Sequence, residues 1–303
     1  MPHFTDQLAA AVAAKKSPLV VGIDPRWEQL PESLRGEDSL AGRAEAYRRF
    51  AIGVIEAVAE AVPAVKPQMA FFEELGPAGM AALKDVIDRA HGHRLLVVLD
   101  GKRNDIGSTA QAYANGLLGR GSAWGADALT VSPYLGDDSL TPFAEVARER
   151  GAGVYVLVKT SNPGGAVWQD RPLQETSGGG SPLYRYVGDH VESLAKMTRG
   201  ECGYGLVGAV VGATYPEQLA ELRAAMPHTW LLVPGYGAQG GSAAGVAPAF
   251  DAAGMGAIVN SSRAVIFAHA RPEYARFGGA RWQEAVHQAA ADATAELTAA
   301  AGL

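Results

Sequence analysis

Short runs of apolar residues recur eight times along this chain, and each ends in polar residues or glycines. In residues 95–99, five apolar residues stand in succession, and Asp100, Lys102 and Asp105 follow them. A strand that is apolar on both faces is typical of a parallel sheet covered by helices. We therefore predict eight buried strands, over residues 18–24, 61–67, 95–99, 127–131, 153–159, 205–211, 229–233 and 257–260.

The segments between these runs carry apolar residues at helical spacing. Tyr47, Phe50 and Val54 lie on one face of a predicted helix that Ser39 caps at its start. An additional short helix is predicted over residues 4–14, before the first strand. Residues 162–182 show no periodic pattern and predict a long loop. Further helices are predicted over 76–90, 106–124, 183–198 and 271–301, with one starting at Asp138 or Ser139 and one following a capping box at 214–217.

Eight alternations of strand and helix without a linker predict one α/β domain over residues 1–303, a (β/α)₈ TIM barrel with an additional N-terminal helix. A doubly wound sheet is the alternative, but the first strand lacks its glycine fingerprint and continues instead as Gly22-Ile23-Asp24. Reactive residues of such barrels lie at the carboxyl ends of the strands. The polar residues found there are Asp24, Lys66, Asp100, Lys102, Thr160, Ser161, Gln239 and Arg263.

Composition excludes several classes of protein. The 303 residues carry a net charge of −6 without a long basic run, so we expect no nucleic-acid partner. No apolar run approaches the length of a membrane span, and no basic leader marks a signal peptide, so we expect no membrane partner. Cys202 is the lone cysteine, which rules out an internal disulfide and fits the cytoplasm.

The loops after the seventh and eighth strands predict a phosphate site. Residues 234–241 offer glycine amides that an anion can approach closely, with Gln239 as a side-chain donor. Arg263 follows the eighth strand and suits bidentate binding of phosphate. The alternative is a glycine-rich turn with Arg263 in a surface ion pair.

Lys66, Asp100, Lys102 and Asp105 predict a cluster of alternating charge at the centre of the site. Asp100 and Lys102 are two residues apart in an extended chain, so their side chains point the same way. The alternative is a salt bridge that only shapes the strand end. Two lysines nearly neutralise two carboxylates and leave little charge for a divalent metal. The histidines at 91 and 93 precede the third strand and are expected in a solvated turn, so we expect neither a metal nor a cofactor.

Three segments resemble the orotidine 5′-phosphate decarboxylase family, and the similarity extends from the first strand to the eighth. Residues 100–109 read Asp-Gly-Lys-Arg-Asn-Asp-Ile-Gly-Ser-Thr, like the signature of that family. Residues 234–241, Pro-Gly-Tyr-Gly-Ala-Gln-Gly-Gly, resemble its phosphate-gripping loop, and Ser262-Arg263 its phosphate site on the eighth strand. Asp24 and Lys66 match its ribose contact and first lysine, and Thr160-Ser161 its pyrimidine loop. The chain length and the long loop after Ser161 resemble the larger bacterial subgroup.

This resemblance implies decarboxylation of orotidine 5′-phosphate to uridine 5′-phosphate, the last step of pyrimidine synthesis, without a cofactor. It implies that Asp100 faces the substrate carboxylate, that Lys102 donates the proton, and that Lys66 and Asp105 complete the catalytic group. It also implies that Asp105 reaches into a partner's site, so we expect a homodimer. The substrate-binding residues that it implies are Asp24, Ile106, Thr109, Ser161, Pro234, Gln239, Ser262 and Arg263.

Two other functions stay open. Metal-dependent barrels that act on keto-sugar phosphates share the Asp-x-Lys-x-x-Asp pattern, but they carry a metal-binding acid on the second strand, where this chain has Lys66. A non-catalytic protein that binds pyrimidine nucleotides on the same scaffold is the other alternative.

Overall fold

The computed structural model describes residues 3–173, 180–237 and 240–303. Eight parallel strands form a closed barrel in the order in which they occur in the chain. Pairing of the last strand with the first closes it, with Leu19 opposite Val259 and Val21 opposite Ser261. This confirms the predicted barrel and excludes the doubly wound sheet. The strands are β1 (Leu19–Ile23), β2 (Ala64–Pro67), β3 (Leu96–Arg103), β4 (Ala128–Val131), β5 (Gly153–Lys159), β6 (Val207–Val211), β7 (Leu231–Pro234) and β8 (Ala257–Ser261).

Helices surround the barrel, and short 3₁₀ turns connect several of them. The N-cap of the second helix is Ser39, whose hydroxyl accepts a hydrogen bond from Gly42 N, as predicted. No helix among the described residues is long and apolar enough to cross a membrane. The helices are α1 (Phe4–Lys15), α2 (Leu40–Val58), α3 (Ala70–Glu73), α4 (Gly76–Gly92), α5 (Gly107–Leu117), α6 (Thr141–Arg150), α7 (Ala166–Gln169), α8 (Leu183–Met197), α9 (Pro216–Ala225), α10 (Ala243–Val246), α11 (Arg263–Ile266) and α12 (Trp282–Ala301).

The apolar residues of the strands separate into two cores because alternate side chains point to opposite faces. Val21 and Val65 face the surrounding helices, whereas Val20 and Val98 face the barrel interior. The N-terminal helix α1 packs into that interior core, and the rings of Phe4 and Tyr155 meet edge to face at 6.2 Å. Helix α1 covers the end of the barrel where the strands begin. The accessible end of the barrel is therefore the one formed by the carboxyl ends of the strands.

Several predicted helix boundaries were wrong, for local reasons. Helix α5 ends at Leu117 rather than Trp124, since Leu118 is extended and forms a bridge with Ala126. The last helix begins at Trp282 rather than at 271, because a 3₁₀ turn over Pro272–Phe277 ends in Gly278 at a φ of 62°. Within the predicted loop over residues 162–182, the structure contains helix α7.

The predicted caps of α6 and α9 were also wrong. Neither Asp138 nor Ser139 caps α6, because the Ser139 hydroxyl donates instead to Gly136 O at 2.6 Å. Thr214 forms no capping box for α9, and its hydroxyl donates to Ser161 O at 3.3 Å. Both hydroxyls thus hold loops at the accessible end of the barrel.

His91 lies in the last turn of α4 and not in a solvated turn, which corrects the sequence-based expectation. Its Nε2 atom is 2.9 Å from Oδ2 of the buried Asp127. Arg120 Nε and Val97 N donate to the same carboxylate, at 2.9 and 2.8 Å. These contacts join the chain at the starts of β3 and β4, away from the accessible end, and are structural.

Candidate active site

A cavity of about 490 Å³ opens at the carboxyl ends of the strands. Its floor is apolar, with Leu157, Val210 and Leu232, and its walls are polar. Of the sequence-predicted site residues, this cavity is lined by Asp24, Lys66, Asp100, Lys102, Ser161, Pro234, Ser262 and Arg263.

Asp100 is the centre of a buried hydrogen-bond network. Its Oδ2 accepts from Lys66 Nζ at 2.6 Å and from Gln68 Nε2 at 3.1 Å. Its Oδ1 accepts from Lys102 Nζ at 2.6 Å and from Thr130 Oγ1 at 2.8 Å. Each carboxylate oxygen therefore has two donors, which fixes both lysines relative to the carboxylate.

The backbone of β3 brings this network together. The pairing of β3 with β4 is irregular between Leu99 and Arg103, and Lys102 adopts a φ of 44°. A non-glycine residue in the left-handed region is strained, and such residues cluster at functional sites. Lys102 N donates to Thr130 Oγ1 at 3.0 Å and holds this conformation. The Lys102 side chain is 48% exposed, whereas that of Lys66 is 5% exposed, so Lys102 is the lysine that faces the open cavity.

The charges of the network stabilise one another. Burial by itself would raise the pKa of Asp100, but the neighbouring ammonium groups of Lys66 and Lys102 hold it well below the usual range. Burial would lower the pKa of Lys66, and the carboxylates of Asp100 and Asp24 raise it instead. At neutral pH the cavity therefore contains an ionised carboxylate between ammonium groups.

Asp24 and Asn260 present unpaired polar atoms at the β1 and β8 side of the cavity. In the described part of the chain, the buried Oδ1 atoms of Asp24 and Asn260 have no hydrogen-bond partner. Asn260 Nδ2 donates to Ser262 Oγ at 3.2 Å. Gly22 leaves space for this pair, since a Cβ there would lie 1.9 Å from Ser262 Oγ. Buried polar atoms are normally paired, so these acceptors indicate a place for a ligand with hydroxyl groups.

The predicted phosphate site lies on the side of the cavity formed by the ends of β7 and β8. Pro234, Ser262 and Arg263 line the cavity there. The Arg263 side chain is exposed, and its guanidinium pairs with no residue that the structure describes. The surface ion pair considered as the alternative is therefore not formed with the described residues, and the guanidinium can bind an anion. Gln239 lies outside the described residues.

Ser161 lines the cavity at the end of β5, directly across the eight-stranded barrel from β1. Its backbone packs closely on Gly212, the residue after β6, because a Cβ there would lie 2.8 Å from Ser161 Cα. Thr160 and Gln169 line the same wall. Gln169 Oε1 accepts from Thr160 N at 3.0 Å, and Gln169 Nε2 donates to Thr160 Oγ1 at 2.8 Å.

Three predicted residues do not line the cavity of the chain that carries them. The Asp105 carboxylate accepts a hydrogen bond from Ile106 N at 2.8 Å and does not join the network around Asp100. Ile106 and Thr109 are exposed at the start of α5. The structure thus brings together three members of the predicted charge cluster and leaves Asp105 at the surface of the β3–α5 segment.

Sequence reasoning missed Gln68, Thr130, Asn260 and Gln169. Gln68 follows β2, Thr130 is a polar residue in the otherwise apolar β4, and Asn260 follows three apolar residues in β8, signals that could have identified them. Gln169 lies in the segment without a periodic pattern and had no such signal.

The cavity is a poor site for a hard divalent cation. Its described carboxylates are Asp24 and Asp100, and Asp100 already accepts from two ammonium groups. Such cations require several oxygen ligands. Within the described ranges, no group of three or more His, Cys, Asp or Glu side chains is placed to hold a metal ion.

Fold and cavity define a (β/α)₈-barrel protein with a charged site at the carboxyl ends of its strands. The chain belongs to the orotidine 5′-phosphate decarboxylase / HUMPS family, whose model matches residues 17–276.

Relatives and a solved structure support this assignment. An orotidine 5′-phosphate decarboxylase of Rhodopirellula baltica is 55% identical over 299 residues, covering 95% of this chain and 97% of the relative. One of Deinococcus radiodurans is 43% identical, covering 88% of this chain and 90% of the relative. A structure of Leishmania donovani OMP decarboxylase superposes with a TM-score of 0.77 at 33% identity, covering 99% of this chain and 100% of that one.

Proposed function

We propose that this chain decarboxylates orotidine 5′-phosphate to uridine 5′-phosphate in pyrimidine biosynthesis. The observation that carries the proposal is the Lys66–Asp100–Lys102 network in the same cavity as Arg263, whose guanidinium pairs with none of the described residues. Relatives at 55% and 43% identity that bear this activity in their names add support.

The cavity suggests how the substrate lies. We place the phosphate against Arg263, Ser262 and Pro234, with Gln239 as a further donor. We place the ribose hydroxyls at Lys66 and at Asp24, whose Oδ1 has no hydrogen-bond partner among the residues that the structure describes. The pyrimidine then extends toward Ser161, over the apolar floor. With both ends held, the substrate carboxylate lies near Asp100 and the carbon that carries it lies near Lys102.

Asp100 destabilises the substrate carboxylate in this arrangement. Two like charges about 4 Å apart repel by roughly 4 kcal/mol at an effective dielectric of about 20. The bond between the ring carbon and the carboxylate carbon breaks and CO₂ leaves. The electron pair of that bond stays on the ring carbon. Lys102 Nζ stabilises that carbanion and then protonates it. Because roughly 4 kcal/mol is only about three powers of ten in rate, preorganised charge and phosphate binding must supply the remainder.

We also propose a cytoplasmic homodimer in which Asp105, Ile106 and Thr109 act in the partner's site. Asp105 does not line the cavity of its own chain, and Ile106 is a 55% exposed apolar residue beside it. Tyr113 on α5 and Tyr134 after the neighbouring β4 are also exposed. Exposed apolar side chains around a functional segment favour an interface there.

One assay tests the function. The full chain is incubated with orotidine 5′-phosphate, with and without EDTA, and the loss of substrate absorbance and the formation of uridine 5′-phosphate are followed. We expect turnover that EDTA does not change. Activity that EDTA abolishes and Mg²⁺ restores would indicate the metal-dependent alternative. Binding of uridine 5′-phosphate without turnover would indicate a non-catalytic protein.

A further inference from the structure

Lys159, the last residue of β5, is a fully buried lysine outside the cavity, with an exposed fraction of 0%. Leu157, two residues earlier, lines the cavity, and in a regular strand Lys159 would point the same way. The pairing with β6 shifts between them, from Leu157 opposite Val210 to Lys159 opposite Val211. This irregularity in the pairing turns the lysine away from the cavity, as β-bulges next to active sites commonly do.

The Lys159 ammonium instead faces one carboxylate and two aromatic rings. It forms an ion pair with Asp170 and lies 4.6 Å from the ring centroid of Tyr215 and 5.5 Å from that of Tyr184. A buried ammonium is costly to desolvate unless it is paired, and aromatic faces stabilise it further. Asp170 is 42% exposed and directly follows α7. The ion pair therefore joins the buried end of β5 to the surface segment that contains α7.

That segment forms one wall of the cavity. Asp170 directly follows Gln169, whose amide makes two hydrogen bonds to Thr160. The fit is close, since a Cβ on Gly165 would lie 2.9 Å from both Gln169 Oε1 and Thr160 Oγ1. The ion pair therefore fastens the end of α7 to β5, and Gln169 carries this constraint to Thr160 and its neighbour Ser161.

We propose that Lys159 and Asp170 are positioning residues that hold the Thr160–Gln169 wall in the conformation that receives the base of the nucleotide. This inference rests on the proposed function, which places the pyrimidine at Ser161. Without the ion pair the wall has more freedom, and the substrate must order it on binding. We place the ribose at the ends of β1 and β2 and the phosphate at the ends of β7 and β8, and neither place takes part in this contact.

Binding of two ligands tests the proposal. Asp170→Asn and Lys159→Met are compared with wild type for the dissociation constants of uridine 5′-phosphate and ribose 5-phosphate, measured by calorimetry. Methionine removes the charge without leaving a buried, unpaired ammonium. We expect each variant to bind uridine 5′-phosphate about 10-fold more weakly, or about 1.4 kcal/mol, and ribose 5-phosphate within about 2-fold of wild type. Asp170→Glu should restore most of the loss.

The matched control is Asp88→Asn, which removes an exposed pair with Lys84 on α4, far along the chain from the cavity wall. It should change neither constant. Equal weakening of both ligands in Asp170→Asn, or unchanged binding of uridine 5′-phosphate in both variants, would overturn the positioning role. If wild type itself neither binds uridine 5′-phosphate nor decarboxylates orotidine 5′-phosphate, the proposed function fails instead, so the two failures are distinguishable.

Discussion

Lys102 Nζ and Asp100 Oδ1 lie 2.6 Å apart, although the two residues are separated by one glycine at the end of the same strand. Lys102 makes this contact with a left-handed backbone, which the hydrogen bond to Thr130 holds in place. A side chain that is half exposed is thereby aimed at a buried carboxylate from the open side of the cavity. Lys66 approaches the same carboxylate from the buried side, so of the two lysines Lys102 is the one whose ammonium is exposed in the open cavity.

Replacing Lys102 by alanine should therefore remove turnover while leaving the fold intact. A positioned proton donor contributes about 10²–10⁴-fold to a rate, and Lys102 also stabilises the carbanion, so we expect kcat to fall by at least about 10³-fold. Rapid-quench or spectrophotometric assays measure kcat, and thermal unfolding checks the fold. A variant that is folded and keeps appreciable kcat would contradict its role as the proton donor.

The strands and most of the cavity were predictable because they depend on local patterns. Runs such as residues 95–99 must be buried on both faces, and the residues that follow them must lie at the rim of a barrel. Their position at the carboxyl end of a predicted strand was enough to identify Asp24, Lys66, Asp100 and Arg263.

Other features depend on contacts between distant parts of the chain. The outward turn of Lys159 follows from its pairing with β6, and alternation within β5 predicts the opposite direction. Gln169 lies in the cavity wall, where its side chain bonds to Thr160 and the next residue, Asp170, pairs with Lys159, and no local pattern encodes these contacts. His91 pairs with the Asp127 carboxylate, 36 residues away, so this contact could not be predicted from a local pattern either.

Arg263→Ala should weaken phosphate-bearing ligands selectively. A hydrogen bond to a charged group contributes about 1.5–3 kcal/mol, so uridine 5′-phosphate should bind about 10- to 150-fold more weakly. Uridine lacks the phosphate, and its affinity should change little. Titration calorimetry with both ligands measures the difference, and Arg281→Ala, which removes an exposed arginine from an ion pair with Glu284, is the control. Equal losses for the two ligands would rule out the phosphate assignment.

Asp100→Asn should destabilise the protein in a manner that depends on pH. The folded-state pKa of Asp100 is lowered, so its ionised form stabilises the fold above the unfolded-state value of about 3.9, and this contribution is lost as the pH falls below it. At pH 7 the variant leaves Lys66 without its carboxylate, and breaking a buried pair costs about 3–5 kcal/mol. Chemical denaturation at several pH values should show a difference from wild type that narrows below about pH 4. A difference that is independent of pH would contradict the lowered pKa.

Mixing two inactive variants tests whether Asp105 serves the partner's site. If each site combines Lys102 of one chain with Asp105 of the other, a dimer of Lys102→Ala and Asp105→Ala chains contains one intact site. Random exchange makes about half of the dimers mixed, so a 1:1 mixture should regain up to about a quarter of the wild-type activity. The control mixture combines Lys102→Ala with Asp100→Asn, which alter the same site and should recover nothing. Subunit exchange is verified by native mass spectrometry, and exchange without recovered activity would show that Asp105 does not complete a neighbouring site.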